Sequence, residues 1–336
     1  MRVSFRTIAG VTVKYGRSAL FLAGLVSVFA AAPASADEQL RLGWTSADAI
    51  YGPWFYGQDK GIFKKHNLDT NLIYFDSGTK GVQALIGGGV DILCADANAV
   101  MNAKFAGFQG FFVGTTLNVL TGSVYSAKSI TKPEQLKGTS WGISSFGSEA
   151  NVAANIALGA FKIDPKDVKL IQLGNQGNRV AALDAGQIQV TTFLPPISAR
   201  IEAAGYPKLA DLPDLAPNYF SVGPAVSETL FKDKRPVLKK FLKALAEATA
   251  LYRNDRQGGT DVLQKYLKIT DRKDAEIAYD YYAKLAPVNL RPTAESFKIH
   301  LENSKDPKAK TAKMSDFVNL SILDELDREG YFATLK

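Results

Sequence analysis

The sequence predicts an α/β protein of two related lobes, each a mostly parallel sheet flanked by helices, with a ligand cleft between them. Three observations carry this. Short apolar runs with strand character alternate with helical periodicity, the pattern of parallel sheets covered on both faces. A stretch of the first half recurs in the second half at a constant offset. The chain has 336 residues, 46% hydrophobic and 22% charged, an ordinary globular composition with ample material for a buried core.

The first 36 residues stand apart. Arg2, Arg6, Lys14 and Arg17 form a positive stretch without an acidic residue, and an apolar run follows from Ala19 to Ala32. Pro33-Ala34-Ser35-Ala36 then supplies small residues where a signal peptidase reads. The run is short of the ~20 residues that a spanning helix needs. A secretory signal cleaved after Ala36 is therefore expected, with residues 37–336 exported to a bacterial periplasm. No cysteine follows the run to take a lipid, and no later segment is long and apolar enough to span a bilayer.

The formal charge of +7 shrinks accordingly. Without residues 1–36 the chain keeps 36 cations against 33 anions, a net +3. Mixed-sign charges along Lys-rich helices make a solvated face, not a nucleic-acid surface. A single cysteine and two histidines exclude a disulfide framework and any multi-cysteine or histidine-rich metal centre. No cofactor is expected.

The repeat gives the lobes. Residues 61–92 and 159–190 align without gaps at an offset of 98. Gly61, Phe63, Lys64, Asp69, Leu72, Ile73, Val82, Ala84, Leu85 and Gly88 recur as Gly159, Phe161, Lys162, Asp167, Leu170, Ile171, Val180, Ala182, Leu183 and Gly186. Ordinary residue usage would give roughly two identities over that length. In the first lobe, strands are expected at Leu40–Thr45, Leu72–Phe75 and Val90–Ala95, with helices at Tyr51–His66 and Lys80–Ile86. Pro53 suits the first turn of the former helix. In the second, strands are expected at Ser140–Ser144, Val168–Leu173 and Ile188–Phe193, with helices at Gly147–Phe161 and Asn178–Ala185. After Ser227 the pattern turns helical, at Val237–Arg253, Asp261–Leu267, Ala275–Leu285 and Asp316–Arg328. The first lobe would take 37–122 and the second 123–222, with 223–336 returning to the first. The chain would cross near Asn118–Tyr125, where Thr121-Gly122-Ser123 offers flexibility.

In open parallel sheets, ligands gather at the carboxyl ends of the strands. The loops there are rich in small and hydroxyl residues and lead into helices, whose exposed N–H groups suit an anion. Helix capping by Ser, Thr or Asn is the alternative for each loop. Ser77, Gly78, Thr79, Ser145 and Ser148 are expected to hold an anionic group. Trp44, Tyr51, Trp54, Phe146 and Phe193 would supply an apolar wall, although aromatic residues bury well anywhere. Thr45, Thr121, Asn98, Asn175 and Gln176 would orient the rest. Lys80 and Arg179 lie just past their loops, where they could add charge to the site, but a solvated helix face is the favoured expectation for both.

Several segments together resemble a known family. Leu40-Arg41-Leu42-Gly43-Trp44, Gly52-Pro53 and Lys60-Gly61-Ile62-Phe63-Lys64-Lys65-His66-Asn67-Leu68-Asp69 come first. Ser77-Gly78, the run from Ala84 to Asp91, Leu136-Lys137-Gly138 and Gly147-Ser148 follow in order. This spacing resembles substrate-binding proteins of the nitrate/sulfonate/taurine type, within the thiamine-pyrimidine-synthase-like superfamily. The resemblance implies a type II periplasmic-binding fold. It also implies capture of a small organic anion by hinge closure, and delivery to an ABC importer whose permease lies in the inner membrane. A monomer is expected. A sensor protein docking on a membrane receptor would use the same fold and closure.

Enzyme readings fare poorly. Gly138-Thr139-Ser140-Trp141-Gly142 fits G-x-S-x-G, but Ser140 is expected inside a strand and not on a strand-to-helix elbow. The enzyme branch of the superfamily relies on a cysteine-rich stretch that this chain lacks. Cys94 reads as a small core residue, and His66 as a helix-end residue favoured by the dipole. Asp48 and Asp96 are open to two readings, as a general-acid pair or with Asp96 receiving a ligand amine.

Overall fold

The computed structural model describes residues 37–335, with Gly10 ahead of them. The expected signal segment lies outside the described residues. Among the described residues no helix is long and apolar enough to cross a membrane.

The first half runs β1 (Glu38–Trp44), α1 (Gly52–Asp59), α2 (Ile62–Lys65), β2 (Leu68–Tyr74), α3 (Gly78–Ile86), β3 (Ile92–Asp96), α4 (Ala97–Phe105) and β4 (Gly110–Phe112). The second runs β5 (Ser123–Ser126), β6 (Ser140–Ile143), α5 (Glu149–Ala160), β7 (Lys169–Gln172), α6 (Gln176–Asp184), β8 (Val190–Phe193), α7 (Ile197–Ala203), β9 (Lys208–Asp211), α8 (Leu212–Leu215) and β10 (Val222–Ser227). The remainder is helical: α9 (Glu228–Asp233), α10 (Arg235–Asn254), α11 (Arg256–Leu267), α12 (Arg272–Tyr282), α13 (Lys298–Asn303) and α14 (Ser321–Arg328).

Two five-stranded sheets result, in the orders β2-β1-β3-β10-β4 and β7-β6-β8-β5-β9. In each, four strands run one way and the fourth in order, β10 or β5, runs against them. The offset of 98 extends well beyond the recurring segment. Helices α3 and α6 start and end 98 residues apart, and β4 and β9 begin 98 apart. Gly88 and Gly186, which close the two helices, have φ of 71° and 69°. Such values favour glycine, which explains the repeated identity there. Strands β5 and β10 are also counterparts, with Ser123-Val124 recurring as Ser221-Val222. Yet β5 pairs inside the second sheet and β10 inside the first. Each repeat unit, the first ending with β5 and the second with β10, therefore lends its last strand to the other lobe, and the chain crosses between lobes at both places.

Burial explains the elements. All five residues of β3 are buried, as befits a strand covered on both faces. Helix α10 buries one side, including Phe241, Leu242 and Leu245, and turns its lysines outward. Lys239 pairs there with Glu325 and Glu329, a solvated mixed-charge face as expected. Trp54 and Phe63 pack on Phe241, with ring centroids 5.3 and 5.9 Å apart.

Some expectations need correction. The helix expected over Tyr51–His66 is broken into a 3-10 turn at Ala49–Tyr51, α1 and α2. Gly61, at φ 67°, makes the turn between the two helices. Helix α14 is shorter than expected and begins only at Ser321. Four strands, β4, β5, β9 and β10, and helices α4, α7, α8, α9 and α13 lay outside the expected elements. Ser140 opens β6, so it sits in a strand as expected. His66 ends α2, with Nε2 2.8 Å from Glu247 Oε2 of α10.

Candidate functional site

The carboxyl ends of β1, β3, β6 and β8 meet across a cleft of about 740 Å³, open solvent included. Thr45, Asp48, Tyr51, Gly78 and Asp96 line it from one side, and Ser148, Glu149, Asn175, Gln176 and Arg179 from the other. Leu120, Thr121, Leu212 and Val222, from the first crossing, the start of α8 and the start of β10, also line it.

Of the fifteen residues singled out in the sequence, Thr45, Tyr51, Gly78, Thr121, Ser148, Asn175 and Gln176 are brought together in this cleft. The others do different work. Trp44 packs among the rings of Tyr51, Phe55 and Tyr74. Trp54 is wholly buried against α10, and Phe193 wholly buried beside Tyr125, so neither reaches the cleft. Ser77 caps α3, accepting from Lys80 N. Asn98 is held between the Tyr219 hydroxyl at 2.7 Å and His300 Nδ1 at 2.9 Å. Thr79 and Ser145 face each other across the lobes, their hydroxyl oxygens 3.1 Å apart. Phe146 is 53% exposed and lines an outer groove with Asn102 and Lys166.

Arg179 corrects the expectation most sharply. It is 5% exposed, not on a solvated face. One terminal nitrogen donates to Thr192 O at 2.9 Å and to the hydroxyls of Thr191 and Thr192 at 3.3 Å. Its Nε finds no acceptor among the described residues, and Gln176 Nε2 is likewise without a partner. No carboxylate forms an ion pair with Arg179 among the described residues, and burial pushes its pKa down to about 10. The repeat carried a signal for this. Arg179 stands at the position of Gly81, which lies so deep that an added Cβ would stand 2.6 Å from Thr45. A cation whose twin is packed in the core is a buried cation.

Four acids line the cleft; Asp76 pairs with Lys80 Nζ at 2.9 Å, and the other three stand at the starts of helical turns. Asp48 caps the turn at Ala49–Tyr51 and accepts from Ile50 N at 3.0 Å. Asp96 caps α4, with Oδ1 accepting from Ala99 N at 2.9 Å. Glu149 opens α5 and accepts from the Ser221 hydroxyl at 2.5 Å. Burial raises Asp48 and Asp96 to about 6 and Glu149 to about 8, the last also pushed by the nearby charges of Asp96 and Asp48. Glu149 was missed because an acid in the first turn of a helix is an ordinary dipole partner.

Helix α5 adds open donors. Its preceding residue, Ser148, does not cap it, because the Ser148 hydroxyl donates to Ser145 O at 2.7 Å. Glu149 and Ala150, the first residues of α5, line the cleft, and no side chain caps their N–H groups.

Residues 50–257 match the family model described as NMT1/THI5 like. YtlA of Bacillus subtilis (strain 168), whose name describes it as a candidate binding protein, is 23% identical over 273 residues, covering 76% of this chain and 80% of YtlA. The alkanesulfonate-binding protein SsuA of Xanthomonas axonopodis pv. citri, solved bound to MOPS, aligns with a TM-score of 0.69 at 18% identity, covering 84% of this chain and 98% of SsuA. The periplasmic nitrate-binding protein NrtA of Synechocystis PCC 6803 aligns with a TM-score of 0.70 at 12% identity, covering 87% of this chain and 88% of NrtA. These likenesses give the fold, the two-lobed periplasmic binding-protein architecture. With a family match over more than half of its length, the chain belongs to the NMT1/THI5-like family.

Proposed function

We propose that this protein is the exported binding component of an ABC importer, capturing a small organic acid between its lobes and presenting it to an inner-membrane permease. The observation that carries the reading is Arg179, a buried guanidinium on the cleft wall with no carboxylate partner and an unpaired Nε. An unpaired buried charge is costly unless a partner arrives, and a guanidinium presents its donors in the fork that a carboxylate or sulfonate accepts. The uncapped start of α5 adds N–H groups to the same cleft.

Capture follows from the geometry. The acid group would dock on Arg179 in the second lobe, and the rest of the ligand would meet Thr45 and Tyr51 in the first. The ligand would thus bridge the lobes, favouring the closed arrangement that a permease can recognise. The chain would act as a periplasmic monomer, without cofactor or turnover. Cys94 is wholly buried in β3, and burial pushes its thiol well above the usual range, so it is unsuited to nucleophilic attack.

The test is a thermal-shift screen of the purified protein against sulfonates, carboxylates, aromatic acids, nitrate and pyrimidines. A ligand at about 100 times its dissociation constant should stabilise the protein by about 2.7 kcal/mol. Arg179→Met should erase the shift. If only neutral compounds or amines raised the melting temperature, the reading would fail.

A further inference from the structure

We infer that the outer groove bordered by α4, α5 and α13 is a second binding site, taking a neutral, hydroxyl-rich compound of saccharide type. The site is separate from the acid cleft and does not depend on the transport reading.

The groove encloses about 1040 Å³, open solvent included. Five asparagines line it: Asn98 and Asn102 of α4, Asn151 and Asn155 of α5, and Asn303 of α13. Asn98 is spent on the fold, between Tyr219 and His300. The others keep amide groups free. The side chains of Asn102 and Asn155 bond no protein group among the described residues. Asn151 Oδ1 accepts from Gly147 N at 3.0 Å, which leaves its nitrogen, and Asn303 Nδ2 donates to Ile299 O at 2.8 Å, which leaves its oxygen.

Asparagine is a poor residue for a helix interior, because its amide competes with the backbone. Two on one face of α5, four residues apart, need a reason outside the helix. The repeat sharpens this. At the offset of 98, Asn151 and Asn155 stand at the positions of Pro53 and Gly57, buried residues of α1. A Cβ at Gly57 would stand 3.2 Å from Ala248 Cβ, so α10 covers that face in the first lobe. In the second lobe the same face carries amides and borders the groove.

The chemistry of the lining selects the ligand class. An amide offers a donor and an acceptor side by side, and a hydroxyl group, itself donor and acceptor, answers either. His300, 1% exposed, also lines the groove, and its Nε2 has no partner among the described residues. Its Nδ1 donates to Asn98, so Nε2 is a lone pair that needs a donor, which a carboxylate or sulfonate cannot bring. The charged residues of the lining, Lys166, Lys305 and Asp306, are of both signs and none is buried, so the groove favours a neutral occupant. Phe146, 53% exposed, joins Met101, Val152 and Leu170 in the apolar part of the lining, against which the C–H face of a sugar ring would shed water.

The experiment is saturation-transfer NMR and calorimetric titration of the protein with maltose, sucrose and trehalose, with gluconate and glucosamine as charged counterparts. We expect at least one disaccharide to bind with a millimolar or tighter dissociation constant, and more tightly than either charged compound. Asn155→Ala and Phe146→Ala should each weaken that binding roughly fivefold or more, the worth of one neutral hydrogen bond or of part of a buried ring. Asn155→Ala should at the same time raise the melting temperature, because alanine suits a helix better; an asparagine kept for the fold would lower it on removal. Arg179→Met should leave saccharide binding as it was. Saccharide binding that is lost in Arg179→Met and kept in the groove variants would place the sugar in the acid cleft and overturn the inference. Gluconate or glucosamine binding in the groove as tightly as the disaccharides would overturn the neutral class. Absence of disaccharide binding at high millimolar concentration would overturn the site itself, and would leave acid capture on Arg179 standing.

Discussion

The hydroxyl oxygens of Thr79 and Ser145 stand 3.1 Å apart, although one residue opens α3 in the first lobe and the other follows β6 in the second. Thr79 also donates to Phe146 O at 3.2 Å. These bonds span the cleft mouth and exist only while the lobes are together. We expect Thr79→Ala to weaken ligand affinity about thirtyfold, the worth of two neutral hydrogen bonds, by destabilising the closed form. The melting temperature of the unliganded protein should stay unchanged. Titration calorimetry reads the affinity, and small-angle scattering the shift toward an open, more extended shape. Adding Ser145→Ala to Thr79→Ala should cost little more, because Thr79→Ala has already removed the bond they share, whereas Ser145→Ala alone should cost about fivefold.

Ser77 and Asn175 occupy twin positions, and each accepts from a backbone N–H three residues on, at Lys80 and Asn178. Their first duty is to the helix. We expect Ser77→Ala to lower the unfolding free energy by about 1 kcal/mol, with ligand affinity preserved. Asn175→Ala should lose as much stability and some affinity too, since Asn175 also lines the cleft. Urea denaturation with and without ligand separates the two effects.

The twin caps also mark how far the sequence could be read. Helices α3 and α6 were legible because their core residues, such as Leu85 and Leu183, recur at one offset with the same turn glycine behind them. Strands β5 and β10 lie outside the recurring segments 61–92 and 159–190, so the repeat did not announce them. Their exchange between sheets is a tertiary choice that no local pattern encodes. In the site, loop chemistry pointed to Thr45, Gly78, Ser148 and Asn175, whose position follows from strand ends. Side-chain direction did the rest. Trp54 and Phe193 turn into cores because an aromatic ring gains most there, whereas Arg179 reads as a surface charge on a helix whose facing the sequence does not give, and Glu149 draws no reading at all.

Protonation links the cleft to stability. Asp48 and Asp96, raised from 3.8 to about 6, and Glu149, raised from 4.5 to about 8, hold their protons more tightly folded than unfolded. Their contribution is therefore whole below about pH 4 and is lost as the pH rises through the folded values. His300 acts in the opposite sense. Burial pushes it down to about 3, so its contribution is present above its ordinary 6.5 and lost as the pH falls. We expect the unliganded protein to weaken between pH 6 and 8 as Glu149 ionises. Glu149→Gln, which stays neutral, should flatten that limb by roughly 2 kcal/mol. Denaturation curves at several pH values check this, and an unaltered slope in the variant would contradict the assignment to Glu149.

Arg179 sets function against stability. Its guanidinium lies in a low-dielectric wall with three donor contacts to Thr191 and Thr192 and, among the described residues, no carboxylate in direct contact. Replacing a buried charge by an apolar side chain of similar length is often neutral or stabilising. Against that, Thr192 O would lose its 2.9 Å donor, costing on the order of 1 kcal/mol. We therefore expect Arg179→Met to leave the unliganded protein within about 1 kcal/mol of its original stability, or above it, while abolishing acid binding. Arg179→Lys should recover only part of the affinity, because an ammonium is a single point charge and cannot offer two parallel donors to one acid group. Denaturation of the unliganded variants and titration with the best acid from the screen give the two readings. A methionine variant that unfolds readily would mark Arg179 as a structural residue, since a residue kept for its ligand can be removed without harm until the ligand is called for.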